Sequence, residues 1–202
     1  CPYLCARDDG RPGLLIEIAN RSLNEAGHEI DFQPLPWSRA LKYIRIGKID
    51  AIAGVLRRNA PDLVYPKTPQ AVSQIVFFAP ATSRWRHKGL VSLWQVRIGV
   101  TQDISYGSMD SYIHRYRKSD RIQALTGESA IKQNLLTLER GRIDVILEDR
   151  AVLNYQRKQL GIQLPLMDAG ELAIEHLYIA FYPHHPRAQE YAQLLTQGME
   201  DL

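Results

Sequence analysis

The sequence predicts an α/β protein of two lobes, each a mostly parallel sheet flanked by helices. Helix-like and strand-like segments alternate along the chain, as parallel sheets require. "GKIDAIAGVL" (47–56) and "GRIDVILEDR" (141–150) repeat one order of glycine, basic residue, Ile-Asp and apolar run. Two further apolar strands, "SQIVFFAP" (73–80) and "HLYIAFYP" (176–183), flank the second repeat. These three observations together favour two lobes of similar design.

The first predicted lobe alternates helix and strand. "GLLIEIANRSLNEAG" (13–27) places apolar residues on one helical stripe and ends on a glycine, a typical C-terminal cap. "HEIDFQPLP" (28–36) alternates apolar and polar side chains before its prolines, which predicts a strand. "WSRALKYIRIG" (37–47) is predicted to be a helix, and "IDAIAGVL" (49–56) a strand buried on both faces.

The second predicted lobe repeats this scheme. It opens with the strand "VRIGV" (96–100) and a helix that begins in "SYGSMDSYIHRY" (105–116). "RIQAL" (121–125) is a short strand, "SAIKQNLLTLERG" (129–141) a helix, and "RIDVILED" (142–149) its buried strand. Because helix, glycine, Ile-Asp and strand recur once per lobe, the repeat indicates architecture and not a catalytic motif.

The lobes are predicted to be discontinuous in sequence. The strands at 73–80 and 176–183 indicate that the chain crosses into a second domain and returns. Lobe I is predicted to comprise residues 1–82 and 173–202, and lobe II residues 83–172. A lobe inserted between two crossing strands is a hinge architecture.

Composition narrows the class of function. The 202 residues are 45% hydrophobic and 23% charged, ordinary globular values, with a formal net charge of +3. The only basic clusters, "RWRHK" (84–88) and "HRYRK" (114–118), are interpreted as solvated faces. We therefore expect no nucleic-acid partner. No apolar run approaches the ~20 residues that span a bilayer.

The two cysteines, Cys1 and Cys5, bear on the compartment. Their spacing differs from a catalytic C-x-x-C, and no further metal ligands stand nearby in sequence. A disulfide between them would stabilise the fold by roughly 2 kcal/mol and favour an oxidising compartment. Two unpaired thiols in a cytosolic protein are the alternative.

Candidate binding residues follow the predicted strands, because ligands of open parallel sheets bind beyond the carboxyl ends of the strands. The first lobe offers Gly54 to Arg58, and the second offers Asp103 to Tyr106 and Glu148 to Arg150. Each has a structural alternative. The arginines are compatible with a solvated pair, and Tyr106 with core packing. Asp149 and Ser105 are each compatible with a cap of the helix that follows.

Catalytic and cofactor signatures are absent from the sequence. It contains no G-x-S-x-G, H-E-x-x-H, phosphate loop or G-x-G-x-x-G. The adjacent histidines of "HHP" (184–186) are typical of an exposed helix entrance and not of a metal site. We therefore expect no cofactor, no metal and no catalytic residue.

An ordered set of segments resembles one protein family. "CPYLC", "GLLIEIANRSLNEAG", "PWSRALKYIRIGKIDAIAGV", "SLWQVRIGVTQDISYG", "LERGRIDVILEDRAVL" and "LYIAFYP" follow the order seen in bacterial family 3 extracellular solute-binding proteins. These are the two-lobed periplasmic proteins of polar amino-acid transport, and the resemblance covers nearly the whole chain. It implies the type II periplasmic-binding-protein-like fold, with a ligand cleft between the lobes.

The resemblance also implies ligand-binding residues. Tyr3 matches the aromatic after the family's first strand, and Gly54 to Arg57 match the lobe-one strand-end loop. Ser105 matches the lobe-two helix start, and Asp149 the acidic residue that holds an amino group. The helix opening "W-x-R" at 37–39 matches one that borders the cleft. The implied ligand-binding set is Tyr3, Trp37, Arg39, Gly54, Arg57, Ser105, Tyr106 and Asp149.

One loop and both ends depart from the family pattern. Amino-acid binders usually have hydroxyl residues after the lobe-one strand, then an arginine that grips the α-carboxylate. Here the loop reads "AGVLRRNAPDL" (53–63), without hydroxyls and with earlier arginines. The expected ligand is therefore broader, a small polar or anionic solute that is amino-acid-like. The family's first strand would precede "CPY" and further residues would follow "GMEDL", so a domain of a longer receptor is expected.

The resemblance thus implies an exported, monomeric periplasmic domain that closes around a small-molecule ligand. Its partner would be a membrane permease of an ABC transporter or a fused receptor module. One alternative is a dehydratase-like periplasmic enzyme on the same scaffold, which needs a cleft carboxylate of raised pKa, Glu148 or Asp149. Another is the effector domain of a cytoplasmic transcription regulator, although the sequence contains no helix-turn-helix.

Overall fold

The chain divides into two compact units. The computed structural model describes residues 1–5, 11–102, 104–127 and 129–201. Unit 1 comprises Cys1–Val72 and Glu175–Leu202, and unit 2 comprises Ser73–Ile174. The lobe boundaries inferred from sequence, after residue 82 and before residue 173, remain a prediction.

Helices and strands alternate through most of the described chain. The helices are α1 (Leu14–Asn24), α2 (Trp37–Arg45), α3 (Asp110–Tyr116), α4 (Ala130–Glu139), α5 (Arg150–Leu160) and α6 (Ala188–Glu200). The strands are β1 (Ala51–Val55), β2 (Ala71–Pro80), β3 (Ile98–Thr101), β4 (Ile122–Leu125), β5 (Val145–Asp149) and β6 (Leu166–Phe181). Short 3-10 helices cover Arg57–Asn59, Leu90–Gln95 and Gly107–Met109. None of the helices in the described ranges is long and apolar enough to cross a membrane.

Unit 1 packs α1 and α6 together beside a two-stranded pairing. β1 runs antiparallel to the end of β6, with Ala51 opposite Phe181. α1 and α6 approach closely at Gly198, where an added Cβ would lie 2.0 Å from Ser22 Oγ. Leu15 and Leu195 are fully buried in the core that these elements share.

The amino-terminal loop provides the cap for α1. Cys1 and Cys5 form a disulfide with their Cα atoms 4.7 Å apart, which confirms the predicted pairing. No side chain caps the helix at Gly13. Instead, Leu14 N donates to Pro2 O at 3.0 Å and Leu15 N to Tyr3 O at 3.1 Å. Backbone carbonyls of the disulfide loop thus accept from the first N–H groups of the helix, which would otherwise lack acceptors.

Unit 2 is built on the strand order β2-β5-β3-β4. β3 pairs parallel with β4 and with β5, as predicted, while β2 pairs antiparallel with β5. Phe77 and Leu147 are buried in a core on one side of this sheet, and Phe78 and Ile146 belong to a second core with α4 and α5. Both faces are therefore covered, which explains why these strands are almost wholly apolar.

Helix α4 approaches β3 closely at Gly99. A Cβ on Gly99 would lie 2.6 Å from Ile143 Cδ1 and 2.7 Å from Asn134 Oδ1. Asn134 is buried, and its amide donates to Val100 O at 3.1 Å and accepts from Gln123 Nε2 at 2.9 Å. The missing side chain of Gly99 makes room for a polar link between helix and sheet.

Two expectations about unit 1 are wrong. Residues 28–36 form no strand, although Ile30 packs against the core of unit 1. The alternation of apolar side chains there reflects this packing, and the prolines at 34 and 36 lack the N–H groups that a ladder needs. The second expectation was a parallel sheet in this lobe, but β1 pairs antiparallel with β6.

Candidate functional site

The carboxyl ends of β3 and β5 lie side by side in unit 2. The parallel register pairs Gly99 with Ile146, and two residues further on Thr101 meets Glu148. Thr101 Oγ1 donates to Glu148 Oε2 at 2.8 Å, and Asp149 N donates to Glu148 Oε1 at 3.0 Å. Both carboxylate oxygens of Glu148 therefore accept hydrogen bonds from the protein.

Burial gives Glu148 an unusual acidity. Its side chain is only 1% exposed. Burial raises its pKa from 4.5 to about 7, opposed by the hydrogen bonds from Thr101 and from the backbone of Asp149. The nearby charge of Asp149 raises the pKa further. Glu148 has the raised pKa that the enzyme alternative requires. Its carboxyl group is buried, however, and both of its oxygens are hydrogen-bonded to the protein.

Asp149 is buried and caps helix α5. Its Oδ1 accepts from Val152 N at 2.9 Å, which confirms the capping interpretation. Its Oδ2 accepts from Ser73 Oγ at 2.6 Å and from Gln74 N at 3.1 Å. Since β2 and β5 are antiparallel, the start of β2 lies beside the end of β5 and supplies these two donors. The position of a negative charge at this strand end is thus fixed by three hydrogen bonds.

Arg150 extends the same polar cluster. Its Nε donates to Gln74 Oε1 at 2.8 Å, and its Nη1 pairs with Asp168. The first residue after the predicted strand end therefore connects β2, α5 and β6 within unit 2. Charges of both signs are held at this edge of the sheet.

Polar contacts also hold Ser105 and Tyr106, which precede α3. Ser105 Oγ donates to Asp110 Oδ2 at 2.7 Å and accepts from Gly107 N at 3.3 Å. Tyr106 is 1% exposed, which confirms the core-packing interpretation. Its hydroxyl accepts from Thr101 N at 2.8 Å and donates to Thr101 O at 3.2 Å. Asp103, the other candidate here, lies outside the described residues.

Buried Tyr106 is a poor acid. Burial raises the pKa of its hydroxyl well above 10, and the nearby charge of Glu148 adds to this effect. The hydroxyl therefore stays protonated and keeps its donor bond to the backbone of Thr101. Tyr106 acts as a fixed link between the end of β3 and the loop that leads to α3.

In unit 1, the two arginines after β1 are held by other side chains. The Arg57 guanidinium lies over the rings of Tyr65 and Tyr178, 4.9 and 5.0 Å from their centroids. Its Nη2 also donates to Pro66 O at 3.1 Å. Arg58 pairs with Glu175. The solvated-pair interpretation is therefore incomplete, because both guanidinium groups have partners in the fold.

Of two other unit 1 candidates, Tyr3 belongs to the amino-terminal loop and Gly54 lies against it. Tyr3 Oη donates to Val72 O at 2.9 Å. Gly54 has φ +77 at an irregularity in the β1–β6 pairing, and an added Cβ would lie 3.1 Å from Leu4 Cδ1. This backbone conformation and this close neighbour both favour glycine.

The remaining candidates of unit 1 lie on α2. Trp37 is the first residue of the helix and is 43% exposed, and Arg39 is exposed one half-turn later. The ligand-binding roles of these residues, and of the other members of the implied set, remain predictions.

Three polar residues of the unit 2 cluster were missed by sequence reasoning. Ser73, Gln74 and Thr101 all contact the strand-end carboxylates. Thr101 follows a predicted strand directly, and that position could have marked it. Ser73 and Gln74 carry no such signal, since they begin a strand.

Among the described residues, no three His, Cys, Asp or Glu side chains are grouped so that they could hold a metal ion.

Comparison by sequence finds no relative: no family model matches the chain, and no curated protein does either.

Solved structures share the fold over the whole chain. A histidine kinase sensor domain with similarity to periplasmic binding proteins gives a TM-score of 0.67 at 19% identity, covering 100% of this chain and 85% of that one. The GluR0 ligand-binding core in complex with L-glutamate gives 0.70 at 13% identity, covering 100% and 87%. A probable amino-acid ABC transporter extracellular-binding protein from Bacillus subtilis gives 0.69 at 15% identity, also covering 100% and 87%.

These three structures are described as binding or sensor proteins. The TM-scores show a common fold. Because the identities are below 20%, the similarity does not identify the ligand of this chain. The predicted fold class is confirmed: the chain has the two-lobed α/β fold of periplasmic binding proteins.

Proposed function

We propose that this protein is an exported solute-binding domain that captures a small polar or anionic, amino-acid-like solute. The observation that carries the proposal is the polar cluster at the carboxyl ends of β3 and β5. Thr101, Glu148 and Asp149 meet there, at the edge where ligands of parallel α/β sheets bind. Neighbours of the same fold, one in complex with L-glutamate, support a binding role.

Asp149 is the proposed contact for a positively charged group of the ligand. Its carboxylate is held by Val152 N, Ser73 Oγ and Gln74 N, so the negative charge is in place before a ligand arrives. Such preorganisation lowers the ordering cost of binding. A ligand ammonium near this carboxylate would gain a charge-assisted hydrogen bond.

The proposed location is the periplasm, and the proposed role is delivery to a membrane permease or sensing in a receptor. The Cys1–Cys5 disulfide supports an oxidising compartment. The neighbours include both an extracellular-binding protein of a transporter and a kinase sensor domain, so both roles have precedent in this fold.

A thermal-shift screen against amino acids, small carboxylates, polyamines and sugars tests the binding proposal. A ligand at 100 times its dissociation constant adds about 2.7 kcal/mol to the free energy of unfolding, a shift of several degrees. We expect a stabilising ligand among the amino-acid-like solutes. A panel in which nothing stabilises the protein contradicts the proposal, and turnover of a bound solute would favour the dehydratase-like alternative.

The Asp149→Asn variant tests the proposed contact once a ligand is found. Asparagine is as good a helix cap as aspartate, so its oxygen can still accept from Val152 N while the negative charge is lost. Its NH2 group cannot accept from Gln74 N as Oδ2 does, so a thermal melt checks that the variant remains folded. We expect affinity to fall by roughly tenfold or more. Glu139→Gln, which removes an exposed carboxylate from the end of α4, is the matched control. Unchanged affinity in Asp149→Asn would show that Asp149 only caps the helix.

A further inference from the structure

The 3-10 helix Leu90–Gln95 of unit 2 exposes an apolar surface. Val91 is 78% exposed, Leu90 62% and Trp94 52%. It is unusual for three large apolar side chains within five residues to be so exposed, because such side chains normally pack in the core. A contiguous exposed apolar patch commonly marks an interaction site.

The segment that carries this patch is firmly held. Trp85 Nε1 donates to Ser92 O at 3.0 Å, and Lys88 N donates to Ser92 Oγ at 2.9 Å. The Trp85 ring packs edge-on against Phe77, which is fully buried, at 5.5 Å. Exposure of Leu90 and Val91 is therefore built into the fold of this segment.

Three cations lie beside the exposed side chain of Val91. Arg84, Arg86 and Lys88 line a hollow of about 360 Å³ together with Val91 and Gln95. All three cations are exposed. Burial lowers the pKa of the intervening His87, so the charge at neutral pH comes from these three side chains.

Trp94, at the end of the exposed apolar segment, has aromatic and cationic neighbours. The Trp94 ring lies 5.5 Å from the ring of Tyr116, and the Arg121 guanidinium lies 4.3 Å over the Trp94 ring. Tyr116 belongs to "HRYRK" (114–118), so Trp94 contacts one residue of that cluster. Gln95 lines both the first hollow and a second of about 170 Å³ beside Arg121, which makes the surface continuous.

Acidic groups balance the basic charge in the second hollow but not in the first. Asp120 and Asp144 line the second hollow. Asp144 is paired with Arg97, whose Nε lies 3.0 Å from Asp144 Oδ2. The first hollow is lined by basic, polar and apolar side chains alone. The net positive charge of the surface therefore lies in the first hollow, beside the exposed side chain of Val91.

We propose that this surface of unit 2, which we call the basic-aromatic face, binds an anionic phospholipid bilayer. Leu90, Val91 and Trp94 enter the boundary between headgroups and acyl chains, where tryptophan is favoured. Arg84, Arg86 and Lys88 remain at the level of the headgroup phosphates. A nucleic acid or a polyacidic peptide would match the cations but would leave the exposed aliphatic Leu90 and Val91 without an apolar environment. The proposal is independent of the solute-binding role.

Vesicle co-sedimentation tests the proposal with the whole chain. We expect binding to phosphatidylcholine vesicles that contain phosphatidylglycerol, little binding to pure phosphatidylcholine, and weakening as salt increases. Replacing Arg84, Arg86 and Lys88 together by glutamine should reduce the partition coefficient on the order of 100-fold. Leu90→Ser with Val91→Ser should also reduce it, since insertion of apolar area is lost.

The matched control removes three exposed cations elsewhere in unit 2, by Lys132→Gln, Arg140→Gln and Arg142→Gln. This triple variant has the same net charge as the first and should retain most of the vesicle binding. Equal loss in both triple variants would overturn the proposal, because binding would then follow net charge. Absence of vesicle binding would overturn it as well, as would tighter binding to duplex DNA or poly-glutamate than to the anionic vesicles. All substituted side chains are exposed, and a thermal melt checks that every variant is folded.

Discussion

Thr101 and Glu148 are hydrogen-bonded across the ends of two parallel strands, with the Thr101 hydroxyl 2.8 Å from Glu148 Oε2. The bond holds a carboxyl group that is 1% exposed and has a pKa of about 7. A buried acid with a pKa in this range makes the stability of the fold depend on pH near neutrality.

Glu148→Gln should remove that dependence. Burial raises the folded pKa of Glu148 from 4.5 to about 7, so folding favours its protonated form. Its favourable contribution is full below about pH 4.5 and is lost as the pH rises through 7, when the folded state must bury a charge. Relative to wild type, the variant should therefore be more stable at pH 8 than at pH 5 by up to about 3 kcal/mol.

Urea denaturation at pH 5 and pH 8 measures this difference. Comparison with wild type cancels the contributions of other titrating groups. Glu171→Gln, which changes an exposed carboxylate on β6, is the control and should show no such difference. A variant-to-wild-type difference in unfolding free energy that is the same at both pH values would rule out the raised pKa.

Tyr106→Phe should destabilise unit 2 without creating a cavity. The hydroxyl accepts from Thr101 N at 2.8 Å and donates to Thr101 O at 3.2 Å, and its loss leaves this backbone N–H without that partner. We expect a cost of about 1–3 kcal/mol in unfolding free energy. The control is Tyr155→Phe, a half-buried tyrosine of α5. Equal effects of the two variants would contradict the role of the Tyr106 hydroxyl.

Arg57→Lys should be less tolerated than Arg58→Lys. The planar guanidinium of Arg57 lies over the rings of Tyr65 and Tyr178, a geometry that an ammonium reproduces poorly. We expect a loss of about 0.5–1 kcal/mol for Arg57→Lys by denaturant unfolding. Lysine at position 58 can still pair with Glu175, so a smaller effect is expected there. The reverse order would show that the stack does not contribute to stability.

Opening the Cys1–Cys5 disulfide should loosen the start of α1. The combined Cys1→Ser and Cys5→Ser variant should lose roughly 2 kcal/mol of unfolding free energy. Hydrogen exchange should accelerate first at the amides of Leu14 and Leu15, which donate to carbonyls of the disulfide loop. Reduction of the wild type should reproduce the effect and leave the double variant unchanged. Unaltered exchange at these amides would show that the loop keeps its shape without the bond.

The sequence predicted the elements whose pattern is set by burial. α1 and α4 show apolar stripes, so periodicity identified both helices. β5 is buried throughout, and its continuous apolar run identified it. It also placed Glu148 and Asp149 at a strand end that faces polar neighbours. The helix cap by Asp149 followed from residue type and position alone.

Features that depend on long-range pairing could not be predicted. The contact of Ser73 with Asp149 requires that β2 run antiparallel to β5, a relation between residues 76 positions apart. The ring stack around Arg57 joins Tyr65 to Tyr178, which are distant in sequence. Residues 28–36 showed strand periodicity but form no strand, and Ile30 packs against the core of unit 1. The local sequence pattern shows which residues are buried, but it does not show which strands pair with each other.

The close approach of α4 to β3 limits how this sheet can evolve. Gly99 has no room for a side chain while Asn134 and Ile143 occupy the space above it. A larger residue at 99 would require a smaller one at 134 and a shift of the Ile143 side chain, and the links of Asn134 to Val100 and Gln123 would then be lost. Positions 99 and 134 should therefore covary in an alignment of homologues, which would reveal this contact without a structure.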